Sequence, residues 1–141
     1  MYDDSVFRAA NGMGAGLAYK GDVCGSLLGG CMMLGLKFGL GSEKLARSEE
    51  PHPSYPAVQE FYDWFQNEFG STKCPDIFGG YAREFNVNNI DLDAMRTKTT
   101  RNEKEQALVD AVHKKCDQLT GRVAARIAET IWDAIEAEKR K

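Results

Sequence analysis

Apolar residues recur along the chain at helical spacing, and nowhere do they alternate with polar residues for long enough to make a strand. Val58, Phe61, Tyr62, Phe65 and Phe69 lie three or four apart and predict a helix over 57–69 that Gly70 closes. Leu108, Val112, Leu119, Val123, Ile127, Ile131 and Ile135 recur at four or seven and predict a helical region over 102–138. Gly121 is expected to kink or split that region, and Trp64 and Trp132 are expected in the core. Residues 3–10 read as a short helix running into Asn11-Gly12. Residues 22–38 read as a buried, glycine-rich helix with Asp22 as its N-cap and Gly39 and Gly41 at its end. A polar linker over 42–55 with Pro51, Pro53 and Pro56 follows, and 75–85 predicts a further short helix, interrupted at Gly79-Gly80. Residues 86–89 read as a turn. The pattern predicts an all-α fold: a compact bundle of about five helices around a glycine-rich central helix, in one domain spanning 1–141.

Composition narrows the function classes. The net charge is −3, and the one basic cluster is Lys139-Arg140-Lys141 at a helix end, so nucleic acid is not an expected partner. The most apolar stretch, 23–36, falls short of the roughly 20 residues needed to cross a bilayer. The N-terminus is polar and acidic, so a cytoplasmic protein without membrane insertion is expected. Gly12-Met13-Gly14-Ala15-Gly16-Leu17 fails the dinucleotide fingerprint at its last position, and no phosphate-binding loop motif occurs. Glu49-Glu50 and Asp91 with Asp93 sit in polar segments and read as solvated charge.

The chemistry lies in four cysteines, none of them in a Cys-x-x-Cys pair. Cys24 falls at the expected first turn of the glycine-rich helix, and Cys74-Pro75-Asp76 opens another helix, because proline favours the first helical position. Unpaired N–H groups and the positive dipole end at a helix start favour thiolate, the form that attacks disulfides and binds metals. Cys116 follows Lys114 and Lys115, which are expected to lower its pKa, and His113 lies three residues earlier on the same helical side. Cys24, Cys74 and Cys116 are therefore the candidate redox thiols. With His113, Cys31 or an external ligand as the fourth, they form a candidate ligand set for zinc or an iron–sulfur cluster. Cys31 lies seven residues after Cys24, about 10 Å along a helix, so the two cannot pair and Cys31 reads as a small core hydrophobe. Gly25 and Gly29, four apart, mark a small-residue face that a neighbouring helix or a bound cofactor approaches closely. The competing reading is a non-catalytic helical interaction module, a homodimer joined through the Gly25/Gly29 face, with packing cysteines.

These segments resemble the C_GCAxxG_C_C family of redox-active proteins. The resemblance rests on Cys24-Gly25-Ser26-Leu27-Leu28-Gly29-Gly30 with Leu34-Gly35-Leu36, on the segment from Phe7 through Gly21, on Glu68-Phe69-Gly70 with Cys74-Pro75-Asp76-Ile77, and on Cys116-Asp117-Gln118-Leu119. It covers about Phe7 to Ile131 and implies redox activity or metal and cluster binding, with an undefined redox partner. Three of the family's four cysteines are matched, by Cys24, Cys74 and Cys116. The first family cysteine lies in a helix upstream of the segment matched by Phe7, so the resemblance implies either a start that lacks that helix or a member that has lost that cysteine. Cys31 brings the count to four at a position that the family fills with a small or apolar residue.

Overall fold

A computed structural model describes residues 3–45, 52–87 and 100–140. Among them the chain forms six helices and no sheet: α1 (Asp4–Ala10), α2 (Gly25–Phe38), α3 (Ser42–Leu45), α4 (Tyr55–Phe69), α5 (Cys74–Glu84) and α6 (Glu103–Lys139). The five expected helices are present, and α3 adds a single turn inside the expected linker. The paired carboxylates Glu49-Glu50 and Asp91 with Asp93, and the last part of the 86–89 turn, lie outside the described residues.

Local chemistry sets the helix ends. Asp3 caps α1 by accepting from the backbone N–H groups of Ser5 and Val6 at 2.9 and 3.3 Å. Asn102 and Glu105 form a reciprocal capping box on α6, at 2.9 and 3.2 Å. Gly70 ends α4 at φ +75°, a left-handed conformation that glycine adopts without a Cβ penalty. α5 runs unbroken through Gly79-Gly80 to Glu84. Asp22 is not the N-cap of α2: Cys24 takes that place, because Asp22 is drawn into backbone pairing.

The frame is α6, 37 residues and therefore about 55 Å long. It is one continuous helix through Gly121, so the expected kink does not form. α2 lies beside it in parallel, tied by Ser26 to Thr120 (2.7 Å) and by Lys37 to Glu138 (3.1 Å). α4 runs antiparallel to α6, with Glu60 paired to Arg126 at 2.8 Å and Glu68 paired to Arg122. The core between these three helices and α5 is Leu27, Leu34, Phe61, Phe65, Ile77, Leu119, Val123 and Ile127. A second cluster, Phe78, Ala82 and Val112, joins α5 to α6. Trp64 packs against the main core as expected, but Trp132 is 61% exposed. Position 132 follows Ile131 by only 100° of helix rotation, so the stripe that buries Ile127 turns Trp132 outward.

Between α1 and α2 the backbone is unusual. After a 3-10 turn (Asn11–Met13), Gly14–Tyr19 winds through left-handed angles, with φ from 52 to 67° at Ala15, Gly16, Leu17, Ala18 and Tyr19. For the four non-glycine residues this costs roughly 1–2 kcal/mol each. Asp22 N–H donates to the Gly16 carbonyl at 3.1 Å, which closes the turn onto the start of α2.

Candidate functional site

The start of α2 and the start of α5 are joined by a minimal antiparallel bridge. Val23 lies opposite Lys73; Cys24 N–H donates to the Thr72 carbonyl at 2.8 Å, and Cys74 N–H donates to the Asp22 carbonyl at 2.9 Å. Side chains alternate across such a bridge, so Cys24 and Cys74, each one residue beyond the bridging pair, point to the same side as diagonal neighbours. Cys24 is the N-cap of α2 and makes no side-chain cap hydrogen bond, which leaves its sulfur free for chemistry. Cys74 is the first residue of α5, with Pro75 in the first turn and Lys73 as N-cap. Ser71 steadies the approach to α5: its hydroxyl donates to Asp76 at 2.7 Å and accepts from Lys73 N–H at 3.1 Å.

Cys116 comes from α6. Thr120, one turn further on, donates to the Cys116 carbonyl at 3.0 Å and meets Ser26, two residues after Cys24. The Ser26–Thr120 contact thus fixes the height of Cys116 relative to the α2 start. All four cysteines are free and half-buried. Cys31 packs against the main core as expected, and burial pushes its thiol pKa up.

Electrostatics shows that Cys24, Cys74 and Cys116 share one neighbourhood. Burial, and then the charge of Cys24, raises the Cys74 thiol. Burial, then Cys74, Cys24 and Asp117, pushes Cys116 up to about 12. These directions overturn two sequence expectations. The helix start does not lower Cys74, because desolvation and a neighbouring sulfur anion outweigh the dipole. The lysines do not lower Cys116, because Lys114 is exposed and Lys115 is engaged by Glu84 at 2.7 Å.

Other expected site residues fall elsewhere. His113 is exposed and meets Phe78 edge-on, ring centres 5.8 Å apart. Among the described residues no three His, Cys, Asp or Glu side chains are placed to hold a metal ion. A Cβ on Gly25 would lie 2.7 Å from the Met13 carbonyl oxygen, so its missing side chain admits the chain's own loop. Gly29 faces open space; the position pressed by a neighbouring helix is Gly30, where a Cβ would lie 2.5 Å from the Phe61 ring.

Two contributors were not singled out by sequence. Gly16, at φ +67° in the left-handed turn, rests on Cys74: a Cβ there would come within 2.8 Å of the Cys74 Cβ. Tyr81 packs against both hydrophobic clusters, and burial, then the charges of Cys116, Cys24 and Glu84, raises its phenol pKa. Its signal in the sequence is spacing, since seven residues after Cys74 is two turns further along the same face.

Among the described residues no helix is long and apolar enough to cross a membrane. No curated protein and no solved structure matches the chain. One family model does, over residues 1–130, and its description is "Putative redox-active protein (C_GCAxxG_C_C)". A match over nearly the whole length, which takes in Cys24, Cys74 and Cys116, means that the chain belongs to the C_GCAxxG_C_C family.

Proposed function

We propose that the protein is a dithiol redox protein that exchanges with disulfides through Cys24 and Cys74. The observation that carries this reading is the bridge at Val23 and Lys73, which sets two helix-start thiols diagonally on one side. Cys24 thiolate attacks one sulfur of an external disulfide, forming a mixed disulfide and expelling one external thiolate. Cys74 then attacks the Cys24 sulfur and expels the second. Two protein thiols are oxidised to one disulfide, one external disulfide is reduced to two thiols, and the protons of Cys24 and Cys74 pass to the two leaving groups.

The electrostatics orders these steps. Burial and the charge of Cys24 both hold Cys74 protonated. Conversion of Cys24 to a mixed disulfide removes that charge, so Cys74 ionises more easily once it is needed. Cys116, pushed up to about 12, stays a thiol through the cycle. Diagonal partners in a ladder lie about 7–8 Å apart at Cα, just beyond the roughly 7 Å that a disulfide spans without backbone movement. Bond formation therefore draws the starts of α2 and α5 slightly together.

Incubation with oxidised glutathione, alkylation of the remaining thiols and mass mapping test this reading. The expected product is a Cys24–Cys74 disulfide with Cys31 and Cys116 alkylated. Alkylation of Cys24 no faster than Cys31, with no Cys24–Cys74 link, overturns it. Stoichiometric zinc or iron in protein purified without air, lost in Cys24→Ser, would replace it with metal binding.

A further inference from the structure

We infer that the outer side of α6, with α2 beside it, joins two copies of this chain in an antiparallel dimer. Such pairing does not depend on the thiol chemistry above.

A second stripe runs down α6 on the side turned away from the core. Asp117, Ala128 and Lys139 stand eleven residues apart, three turns of a nearly straight helix, and so fall close to one line. Between them on that line come Gly121 and Ala124 in the first interval and Trp132 and Ile135 in the second. All are exposed except the half-buried Ile135, and only the two end positions carry charge. α2 widens this face. Met33 and Leu36 are exposed at 46% and 60%, and residues 25–36 include no charged side chain. A helix that is apolar on every side packs on every side. Yet beyond Gly25, which the chain's own Met13–Gly14 backbone covers, the outer side of α2 meets solvent.

The order of residues along the stripe selects a second copy as the occupant. Counted outward from Ala128 in either direction, the steps are four, three and four. A twofold axis at Ala128 therefore lays the stripe on an identical stripe running the opposite way. Asp117 then faces the partner's Lys139, Gly121 faces the partner's Ile135, and Ala124 faces the partner's Trp132. Opposite charges meet at both ends, and large side chains meet small ones between them. A parallel pairing would instead set Asp117 against Asp117, Lys139 against Lys139 and Trp132 against Trp132, which like charge and bulk oppose. Lys139 is already drawn along this side of α6: it reaches Glu136 at 2.8 Å and lies 5.6 Å from the centre of the Trp132 ring.

Analytical ultracentrifugation of the full chain tests this, with reductant present so that disulfides between chains do not contribute. A particle of twice the 15.7 kDa chain mass is expected at protein concentrations up to about 100 μM. Ala128→Glu sets two carboxylates face to face on the axis. It is expected to give a monomer with the far-ultraviolet helix signal of wild type, because Ala128 is exposed in the single chain. Asp117→Lys and Lys139→Asp are each expected to weaken dimerisation about three- to tenfold, and the two exchanges together to restore it. A wild-type monomer throughout that range overturns the proposal, and so does a dimer that survives Ala128→Glu. Single exchanges that leave the affinity unchanged, or a double exchange that restores nothing, overturn the antiparallel pairing. A monomer that floats with phosphatidylcholine vesicles would assign the face to a lipid surface instead.

Discussion

At the residue scale, the glycines of α2 show how close the sequence comes and where it stops. Composition marks a small-residue face, but only packing decides which member is pressed. Gly30 meets the buried Phe61 ring, Gly25 meets the Met13–Gly14 backbone, and Gly29 meets nothing within 4 Å. Gly30→Ala is therefore expected to cost about 1–3 kcal/mol through overpacking against a ring that has nowhere to go. Gly29→Ala is expected to be neutral or to stabilise by up to about 1 kcal/mol through helix propensity. Urea denaturation of the two variants distinguishes them, and equal midpoints would mean that Phe61 does not press on α2. The thiols divide in the same way. Cys24 and Cys74 were legible, because proline, glycine and aspartate punctuate helix starts. The ionisation of Cys74 was not, because the sequence does not display desolvation or a facing sulfur. Tyr81 had only its seven-residue offset to announce it.

At the element scale, the long apolar stripe of α6 was readable in the sequence, and apart from the outward turn of Trp132 its error came from a single glycine. Gly121 is exposed, with no foreign atom within 4 Å of the place a Cβ would take, and the Val112, Leu119, Val123 and Ile127 contacts on either side hold the helix continuous. Tertiary packing outweighs a local penalty of about 1 kcal/mol. Gly121→Ala is accordingly expected to stabilise the protein by about 0.5–1 kcal/mol, read as a higher urea midpoint at unchanged slope. A destabilised variant would instead mean that the helix needs flexibility there. The left-handed turn at Gly14–Tyr19 escaped the sequence for the opposite reason. Alternating glycines announce a loop, yet Ala15, Leu17, Ala18 and Tyr19 have no intrinsic preference for positive φ. Their conformation is imposed from outside, by the Asp22–Gly16 hydrogen bond and by the fit of Gly16 over Cys74.

At the scale of the whole molecule, gathering three thiols from remote segments leaves a signature in stability against pH. Cys74 and Cys116 both have raised pKa values in the fold, Cys116 going from 9.0 to about 12, with burial the largest cause in each. Well below pH 9 both thiols are protonated whether the chain is folded or unfolded, and their burial costs nothing that depends on pH. Between pH 9 and about 12 the unfolded chain releases the Cys116 proton while the folded chain retains it. The unfolded state then binds fewer protons, so stability falls as pH rises through that window. Cys74 acts in the same direction. Tyrosines and lysines also titrate there, so the informative quantity is a difference between two proteins. Thermal midpoints measured from pH 7 to 11 are expected to fall more steeply for wild type than for Cys116→Ser, with the two curves parallel well below pH 9. Curves that stay parallel up to pH 11 would mean that Cys116 ionises freely in the fold. The sulfur would then lie apart from Cys24 and Cys74, and α6 would serve the molecule only as its frame.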